Sequence, residues 1–556
     1  MIKGKKVIAL LLTGCLLALA GCGNSSQNTQ APEVETDSSE PVQEETAGEE
    51  APADPAEAIV IQAARPVPDD VSFPEGDSLE DNIWTRLYQS DLGVELNYIW
   101  TSPVSQYDQK LNISITSGDL PDIFQVNATQ LKQLADDGQL MDLTQVYEQT
   151  ASAYTKDVMN QDGGNALLSA TFDGKLMAVP KMSSGLGNSN VLWIRTDWLD
   201  ALGMDAPKTM DDVLALARAF TSQDPDGNGQ NDTYGLALNK DLWGMFASLE
   251  GFFNGFGAYP NMWVETADGT LASGNIQPAM KDALVSLQAL YQDGCIDPEF
   301  GVKDGFKVSE DVSRGKIGMM YGLFWNMGWL TDAKTADPDM EWKPYAIVGN
   351  GSALAQIPFP ITTYYVVSAE CENPEVLVQM MNLALEKCFG ESAEPDKYNV
   401  DAQGNPIFEY PLVYSEPPMK NPDAQAAVSK ALESGDISKL NAEEKGYYDQ
   451  IVSYRDGTEE NWAVCWGAEM MYGPEGSLAV LNEYMDQGNV YHNRYFGPST
   501  ATMTQSEGVL SQTQLQVFTE IIMGGDADKF DQYVTDWNAL GGDVITTEVN
   551  QWNQER

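Results

Sequence analysis

The sequence is poor in histidine and in basic residues. It contains one histidine, His492, in 556 residues, which argues against histidine-based catalytic triads and His-rich zinc sites. Its 31 Lys and Arg residues stand against 83 Asp and Glu residues, which gives a formal net charge of −52. A nucleic-acid-binding protein needs a basic surface that replaces the counterions of the phosphates. Nucleic acid is therefore not expected as a partner.

The amino terminus carries an apolar run that is too short for a convincing membrane span. It extends from Val7 to Ala20 and follows three lysines, which is the pattern of an export signal. The run closes on Leu-Ala-Gly-Cys22, which resembles the lipobox of bacterial lipoproteins. The resemblance implies a lipoprotein signal peptide over 1–21 and an acyl (palmitate) anchor on Cys22, holding the protein on the extracellular face of the bacterial cell membrane. The alternative is an ordinary signal peptide with an incidental cysteine.

The segment after Cys22 has no aromatic residue, no lysine and no arginine up to about residue 62. A tract rich in Pro, Glu, Ser and Ala cannot bury enough apolar surface to order itself. Residues 22–65 are therefore predicted to be a disordered acidic tether.

The remaining cysteines show no CxxC spacing. If Cys15 leaves with the signal peptide and Cys22 is acylated, four cysteines remain and allow three pairings, which leaves the disulfide state open. In a chain of this length they are expected to behave as small apolar residues. The four residues are Cys295, Cys371, Cys388 and Cys465.

Strand-like and helix-like patterns alternate from Ala64 onward. VELNYIW has its large apolar residues at every second position, which favours a strand. APKTMDDVLALARAF begins with a capping box of Thr209 and Asp212 and continues with apolar residues on one helical face. Such alternation predicts α/β units around mostly parallel sheets, and 43% hydrophobic residues allow a sizeable core.

The stretch DPDGNGQNDTYG places oxygen-bearing side chains at every second position of a loop. Hard cations such as Ca²⁺ prefer six to eight oxygen ligands, and positions 1, 3, 5, 7 and 9 of an EF-hand-like loop supply them. The predicted ligands are Asp224, Asp226, Asn228, the carbonyl of Gln230, and Asp232. Position 12 is Gly235 in place of the usual bidentate Glu, so water or a remote carboxylate must complete the shell. A structural Ca²⁺ is expected, and the alternative is a polar Asx-turn loop without metal.

Five stretches in this order resemble the family 1 extracellular solute-binding lipoproteins of carbohydrate ABC transporters. They are SGDLPDIFQVN, LMAVPKMSSGLGNSNVLWIRTDWLDALGMDAPKTMDDV, SQDPDGNGQNDTYGL, SRGKIGMMYGLFW, and VFTEIIMGG with VTDWNALGGDVITTEVNQW. The chain is most similar to the large oligosaccharide-binding branch with an EF-hand-like calcium loop. The resemblance implies a periplasmic-binding-protein-like α/β fold, in which two lobes joined by a hinge close over the ligand (type II).

The resemblance also implies domain boundaries and a function. Lobe 1 is predicted over 66–180 plus 358–410, and lobe 2 over 181–357 plus 411–556. The expected function is capture of a carbohydrate, an oligosaccharide by the branch it resembles, and its delivery to the permease subunits of an ABC importer. The protein is expected to act as a monomer and to catalyse no reaction.

The candidate ligand-binding residues combine flat aromatic rings with planar polar groups, because a sugar offers a C–H face and a hydroxyl rim. Some follow from the resemblance to maltose-type binding proteins and others from their place at the carboxyl ends of strands. They are Trp325, Trp243, Asp241, Gln125, Asn127, Trp329, Tyr365 and Trp466. Trp552 is assigned to packing.

Two other functions compete with carbohydrate capture. The first is a surface enzyme that hydrolyses glycans with two carboxylates, although no motif places an acid and a base together. The second is capture of a different cargo, such as a peptide, a glycolipid or a peptidoglycan fragment, by the same two-lobed geometry.

Overall fold

The structure of the protein is a computed structural model that describes residues 58–68, 71–244, 246–349, 355–399, 407–458 and 461–555. The predicted signal peptide, Cys22 and the predicted tether up to residue 57 lie outside these residues.

The described residues form strands throughout the chain. Their bounds are β1 (Ile59–Val67), β2 (Val94–Pro103), β3 (Ile123–Val126), β4 (Thr171–Phe172), β5 (Lys175–Leu176), β6 (Val179–Pro180), β7 (Val191–Arg195), β8 (Tyr234–Leu236), β9 (Trp263–Glu265), β10 (Leu271–Ser273), β11 (Ile317–Gly322), β12 (Trp342–Tyr345), β13 (Ala355–Ile357), β14 (Tyr364–Val367) and β15 (Val490–His492).

Helices connect and cover these strands. Their bounds are α1 (Ile83–Leu87), α2 (Val104–Ser117), α3 (Ala128–Asp136), α4 (Thr144–Thr150), α5 (Ala153–Asn160), α6 (Asn165–Ser169), α7 (Thr196–Leu202), α8 (Met210–Ser222), α9 (Glu250–Gly255), α10 (Pro278–Gln292), α11 (Gly305–Ser313), α12 (Thr331–Ala336), α13 (Glu375–Phe389), α14 (Pro395–Tyr398), α15 (Lys420–Ser434), α16 (Ala442–Asp456), α17 (Trp462–Tyr472), α18 (Ser477–Asp486), α19 (Ala501–Ile522), α20 (Lys529–Trp537) and α21 (Asp543–Glu555).

The first sheet has the strand order β2–β1–β3–β14–β6. β1 is parallel to β2 and to β3, whereas β14 runs antiparallel to β3 and to β6. All four side chains of β14 are buried, as expected for a central strand of aromatic and β-branched residues that is covered on both faces.

The predicted end of the tether, residue 65, is wrong. Residues 59–67 form β1, which lies between β2 and β3 in the sheet. Ile61, Ala63 and Ala64 are almost completely buried. Apolar side chains therefore recur along this segment and give it enough buried surface to order, although it directly follows an acidic stretch.

The second sheet has the strand order β12–β7–β11–β8. β11 is parallel to β8, but β7 runs antiparallel to both β11 and β12. The prediction of mostly parallel pairing is therefore wrong for this sheet. Every side chain of β7 and β11 is buried, and strands buried on both faces have continuous apolar sequences that carry no mark of strand direction.

The predicted capping box at the start of α8 is confirmed. The Thr209 side chain accepts from the backbone N–H of Asp212, and the Asp212 carboxylate accepts from the backbone N–H of Thr209. The apolar face of α8, which includes Val213, Leu216 and Phe220, is buried in the second core. Amphipathic spacing and a local cap thus agree at this helix.

Two hydrophobic cores divide the described chain. One surrounds the first sheet and includes residues from Ile61 to Met182 and from Ile361 to Val413. The other surrounds the second sheet, with residues from Leu186 to Ile357 and from Ala424 to Val549. We call these bodies lobe 1 and lobe 2, and the chain passes between them at a first crossing (181–190), a second crossing (358–363) and a third crossing (414–419).

The three crossings run side by side. The backbone N–H of Lys181 donates to the carbonyl of Thr363 (2.9 Å), which joins the first crossing to the second. The Met182 N–H donates to the Ser415 hydroxyl (2.8 Å), which joins the first crossing to the third. The lobes are therefore connected through one narrow, hydrogen-bonded bundle of segments, which is the architecture of a hinge.

Two further findings concern the cysteines and the search for a membrane-spanning helix. The four cysteines considered above are buried free thiols. Within the part of the chain that the structure describes, no helix is both long enough and apolar enough to cross a membrane.

Candidate functional site

In lobe 1 the carboxyl end of β3 faces the crossings. Tyr364, at the start of β14, pairs with Val126 at the end of β3 and with Pro180 at the end of β6. The chain leaves lobe 1 directly after Pro180 and enters its sheet again at Tyr364. The residues that end β3 therefore lie at the edge from which the first crossing departs.

In lobe 2 the carboxyl ends of β8 and β11 also face the crossings. Val191, the first residue of β7, pairs with Gly322 at the end of β11. A Cβ atom on Gly187 in the first crossing would lie 3.5 Å from the Phe324 ring, so the loop after β11 contacts that crossing. Open α/β sheets bind ligands at the carboxyl ends of their strands. The geometry thus brings these carboxyl edges of both sheets to the place where the lobes are joined.

Three aromatic side chains form a patch on this edge of lobe 2, and we call Trp325, Trp329 and Phe306 the aromatic patch. The half-buried Trp325 ring lies 5.0 Å from the Trp329 ring, with their planes tilted by 52°. Trp329 stacks nearly parallel to Phe306 (5.2 Å) and to the buried Phe246 (5.7 Å). Trp329 is 37% exposed and Phe306 is 65% exposed. Exposed flat faces of this kind suit the C–H face of a sugar ring.

Phe306 was not among the predicted residues. The backbone N–H of Lys240 donates to the carbonyl of Lys303 (2.7 Å), which ties the loop after β8 to the loop before α11. A Cβ atom on Gly305 would lie 3.4 Å from the Cβ of Phe246, so the two loops pack closely. Only this tertiary contact brings Phe306 to Trp329, because in the sequence Phe306 is an ordinary residue in the first turn of a helix.

The turn that presents Trp325 is fixed by Asn326, whose side chain is fully buried. Its Oδ1 accepts from the Leu323 N–H (2.8 Å), and the Trp193 indole N–H donates to the Leu323 carbonyl (3.2 Å). A Cβ atom on Gly322 would lie 2.1 Å from the Asn326 Oδ1, so the turn requires glycine at that position. Trp325 therefore follows directly on a turn that is held by buried hydrogen bonds.

The loop after β8 is organised by Asn239, a second residue that the sequence analysis missed. Its buried side chain donates to the carbonyls of Phe246 (2.9 Å) and Ala247 (3.3 Å) and accepts from the Asp241 N–H (2.9 Å). Leu242 and Ala247 adopt positive φ angles of 62° and 56°. Left-handed backbone at non-glycine residues costs roughly 1–3 kcal/mol each and concentrates at binding sites.

The two predicted residues of this loop, Asp241 and Trp243, differ in their exposure. Asp241 is exposed at the edge, where its carboxylate can accept hydroxyl hydrogen bonds. Trp243 is half-buried, and its ring packs 5.4 Å from Phe253 and 6.5 Å from Phe518. Trp243 therefore supports the loop from the side of the lobe 2 core and offers less free surface to a ligand than the aromatic patch does.

A buried carboxyl group lies behind the same loop. Glu250 begins α9, its Oε2 is buried without a hydrogen-bond partner, and burial raises the pKa of Glu250 to about 7. Hydrogen bonds from its own N–H and from the Gly244 N–H act in the opposite direction, but burial has the larger effect.

We expect Glu250 to make stability depend on pH. Its pKa is higher in the folded state than in the unfolded state, so protonation stabilises the fold below about pH 4.5, and this stabilisation is lost as the pH rises through 7. Glu250→Gln should match the wild type at pH 5 and exceed it at pH 8 by roughly 1–3 kcal/mol in the free energy of unfolding. Urea unfolding at both pH values measures the difference. A variant advantage that is equal at pH 5 and pH 8 would contradict the assignment.

The predicted lobe 1 residues lie at the facing edge. Gln125 is half-buried near the end of β3, and its backbone N–H and carbonyl both bond to the Tyr107 hydroxyl. Asn127 caps α3, with its side-chain oxygen accepting from the Gln130 N–H (2.9 Å). Asn127 thus has a structural role at this helix start, whereas no such bond engages the Gln125 side chain in the described residues.

Two predicted ligand-binding residues are placed where a ligand cannot reach them. Tyr365 is 1% exposed, and its hydroxyl donates to the Tyr414 carbonyl (2.8 Å) and accepts from the Tyr414 N–H (3.0 Å). Trp466 is completely buried in α17, with the Lys334 ammonium 5.4 Å from its ring. Tyr365 was selected for its place at the predicted second crossing and Trp466 as one of the large aromatics, and both serve as packing residues.

An open groove runs between the lobes beside α3. From lobe 1 it is lined by the outer face of α3, including Thr129 and Gln133, and from lobe 2 by Thr500, Gln551 and Trp552. Trp552, which the sequence analysis assigned to packing, does pack edge-on against Tyr495 and Phe496 but also lines this groove. The sequence around Trp552 gave no sign that this side chain also lines a groove.

The acidic loop keeps its carboxylates close together. Gly229 and Gln230 donate backbone N–H bonds to Asp224 (3.0 Å) and Asn228 (2.7 Å). Burial, followed by the nearby Asp224 and Asp232 carboxylates, raises the pKa of Asp226. The Asp224 Oδ1 is buried without a hydrogen-bond partner, and a bound cation would give this oxygen a partner.

Lys316 forms an ion pair with one carboxylate of this loop. Its ammonium lies 2.8 Å from Asp232 Oδ2 and lowers the pKa of that carboxyl together with the Asn228 amide. In the conformation observed, no three Asp, Glu, His or Cys side chains among the described residues converge closely enough to hold a metal ion. The loop supplies oxygen donors of the kind that Ca²⁺ prefers, in the order of an EF-hand loop.

Gly235 explains why the loop lacks a carboxylate at its twelfth position. Gly235 lies in β8, where a Cβ atom would come within 2.0 Å of the Ala217 carbonyl oxygen in α8. Its N–H donates to the Thr221 hydroxyl (3.0 Å), which binds the strand to the helix. Close backbone contact between α8 and β8 therefore excludes a glutamate at this position.

Comparison with known proteins gives matches to solute-binding proteins. The sequence profile of the family described as bacterial extracellular solute-binding protein matches residues 71–387.

Lipoprotein LipO of Bacillus subtilis is 31% identical over 242 residues, which cover 41% of this chain and 44% of LipO. The polygalacturonan/rhamnogalacturonan-binding protein YtcQ of the same organism is 27% identical over 330 residues, with coverage of 56% and 60%. The fructooligosaccharide ABC transporter substrate-binding protein FusA of Streptococcus pneumoniae is 27% identical over 314 residues, which cover 52% of each chain. The chain spans about half the length of these curated relatives.

Solved structures share the fold over most of the chain. A solute-binding protein from Bifidobacterium longum infantis, described as HMO-binding and associated with an ABC transporter, has a TM-score of 0.60 at 15% identity and covers 89% of this chain and 98% of its own. FusA in complex with kestose has a TM-score of 0.53 at 16% identity, covering 89% and 100%. A FusA EF-hand mutant in complex with fructo-nystose has a TM-score of 0.52, also at 16% identity and with the same coverage. At these identities the likeness concerns the fold, and it confirms the predicted α/β fold of solute-binding proteins.

Proposed function

Because the profile match covers more than half of the chain, the chain belongs to the bacterial extracellular solute-binding protein family, and we propose that it captures an oligosaccharide between its lobes and delivers it to the permease of an ABC importer. The observation that carries this proposal is the aromatic patch, exposed at the lobe 2 edge that faces the crossings. The names of YtcQ and FusA, which specify polysaccharide and oligosaccharide ligands, support the same ligand class.

Hinged closure connects binding to delivery. Contacts that a ligand makes with both lobes at once exist only in the closed form, so ligand shifts the open–closed equilibrium by its differential affinity for the two forms. Asp241 and the aromatic patch supply the lobe 2 contacts, and the half-buried Gln125 supplies a planar amide from lobe 1. The permease then recognises the closed arrangement.

Calorimetric titration of the purified protein with a glycan panel and a peptide panel tests this function. We expect binding of one or more oligosaccharides, a ligand-dependent compaction in small-angle scattering, and no binding of peptides. Selective binding of peptides would overturn the carbohydrate assignment. The release of new reducing ends from a bound glycan would show that the protein is a hydrolase.

We further propose that the mature protein is a monomer held at the extracellular face of the membrane by acyl chains on Cys22. The lipobox-like sequence supports the anchor, and the relative LipO carries the name lipoprotein. Palmitate labelling of whole cells should mark the wild type and should be absent from Cys22→Ala. Light scattering of the protein without its anchor should give the mass of one chain.

We also propose a structural Ca²⁺ in the acidic loop, held by Asp224, Asp226, Asn228, Asp232 and the Gln230 carbonyl. The unpartnered Asp224 Oδ1 and the description of a FusA structure as an EF-hand mutant support it. The bound ion would neutralise the mutual repulsion of the carboxylates and join the loop to the end of α8.

Calcium should raise the melting temperature of the wild type. At a concentration a hundredfold above its Kd, a ligand specific for the folded state stabilises by about 2.7 kcal/mol. Asp224→Asn should lose this calcium-dependent shift, whereas Asp436→Asn, in another exposed acidic loop of lobe 2, should retain it. Equal melting curves of the wild type in calcium and in chelator would refute the site.

A further inference from the structure

The exposure of the aromatic patch increases in one direction. Trp325 is half-buried next to the first crossing, Trp329 is 37% exposed, and Phe306 is 65% exposed. The order of these rings is also their order in contact, because Trp329 touches both of the others and lies between them. The patch is therefore a row of three rings whose exposure increases from Trp325 to Phe306.

The segment that precedes the far end of this row also carries an apolar side chain that is open to solvent. Val302, four residues before Phe306, is 71% exposed. Two exposed apolar side chains so close together in the sequence are unusual on a protein with a formal charge of −52. Isolated exposed apolar residues need no explanation, but a contiguous row that continues a candidate site does.

The spacing of the row fits a linear chain of sugar rings. The two ring-to-ring steps are 5.0 and 5.2 Å, comparable with the length of one hexose unit. A monosaccharide or disaccharide at Trp325 would leave Phe306 unused. A linear oligosaccharide whose inner end lies at Trp325 would pass Trp329 and place a later unit over Phe306.

We propose that Phe306 forms an outer subsite for linear oligosaccharides, and that it sets a preference for long chains over short ones. This inference rests on the proposed carbohydrate-binding function and adds to it the shape of the ligand and the direction in which it extends. The outer end of the ligand then lies beyond Phe306, so sugar units added to that end do not affect binding.

The rigidity of the row supports a binding role over incidental exposure. Phe306 stacks on Trp329 with an interplanar angle of 9°, and Trp329 stacks on the buried Phe246 with an angle of 5°. Phe246 belongs to the lobe 2 core and is 1% exposed. The outermost ring is therefore held in place from the core outward, and ordering it costs a ligand little conformational entropy.

Titration with oligosaccharides of increasing length tests the outer subsite. The probes are linear fructo-oligosaccharides and oligogalacturonides, each taken from the disaccharide to the octasaccharide. For the series that binds, wild-type affinity should rise with length and then stay constant. Phe306→Ala should weaken long chains by about three- to tenfold and leave the shortest binding chain unchanged, because one stacked ring contributes about 0.5–1.5 kcal/mol.

Two further variants make the result specific. Ile113→Ala removes an equally exposed apolar side chain (66%) from α2 of lobe 1 and should bind every length like the wild type. Phe306→Trp enlarges the flat face and should strengthen long chains relative to short ones.

The outcomes separate this inference from the proposed function. Binding that does not depend on length, or a Phe306→Ala effect that is equal for short and long chains, overturns the outer subsite while carbohydrate capture stands. A wild type that binds neither series at any length removes the basis of both proposals. Unchanged sugar titrations with impaired ligand import by Phe306→Ala in cells would assign Phe306 to a protein contact and overturn the subsite.

Discussion

Replacing Trp325 by alanine is expected to weaken oligosaccharide binding by about 2–4 kcal/mol, the range of a central aromatic anchor in a binding site. Trp325 is the innermost ring of the aromatic patch and the one nearest to the first crossing, so a sugar over its face is in reach of both lobes. Titration calorimetry of the wild type and of Trp325→Ala with the best glycan of the panel measures the loss.

The fold should tolerate this change. Trp325 is half-buried and its ring contacts Trp329, whereas the turn that carries it is held by Asn326 and by the Trp193 indole. Trp325→Phe keeps a flat face of smaller area and should recover part of the affinity. If Trp325→Ala binds sugars like the wild type while its melting temperature is unchanged, Trp325 is not part of the site.

Local sequence signals predicted those parts of the molecule that local interactions determine. The capping box of Thr209 and Asp212 marked the start of α8 because both partners lie within one turn. The placement of Trp325 directly after a buried strand followed from the same kind of pattern, since the residues that follow a strand lie at the edge of its sheet. Neither inference required knowledge of a distant contact.

The remaining features depend on contacts that the sequence does not display. Phe306 reaches Trp329 only because the loops after β8 and before α11 are hydrogen-bonded to each other. Tyr365 and Trp466 have the same residue types as ligand-binding aromatics, and only their burial distinguishes them. Strand direction in the second sheet was equally hidden, because β7 is buried at every position and its first four residues are apolar.

A buried arginine joins distant segments of lobe 1. Arg65, near the end of β1, is 5% exposed. Its guanidinium donates to the carbonyls of Glu409 (2.5 Å), Tyr410 (2.5 Å) and Pro411 (3.0 Å), three residues that precede the third crossing. Arginine thus joins the first strand of the lobe to the last segment that the chain forms there, and its planar fork presents several donors to these carbonyls in a fixed geometry.

Arg65→Met is expected to lower the free energy of unfolding of lobe 1 by about 3–5 kcal/mol. Methionine has a similar length, but it leaves buried carbonyl groups without their charged donor, which is among the larger penalties that one substitution can cause. Urea unfolding followed by tryptophan fluorescence measures the change, with oligosaccharide titration as a second readout of the lobe 1 edge.

Arg86→Met provides the matched control. Arg86 is an exposed arginine of the same lobe, with ion pairs of 3.0 and 2.7 Å to Asp77 and Asp81. Exposed ion pairs contribute about 0–1 kcal/mol, so this variant should unfold close to the wild type. Arg65→Lys keeps the charge without the fork and should fall between the two. Equal unfolding midpoints for Arg65→Met and Arg86→Met would mean that other contacts hold residues 409–411 against β1, and the proposed role of Arg65 would be wrong.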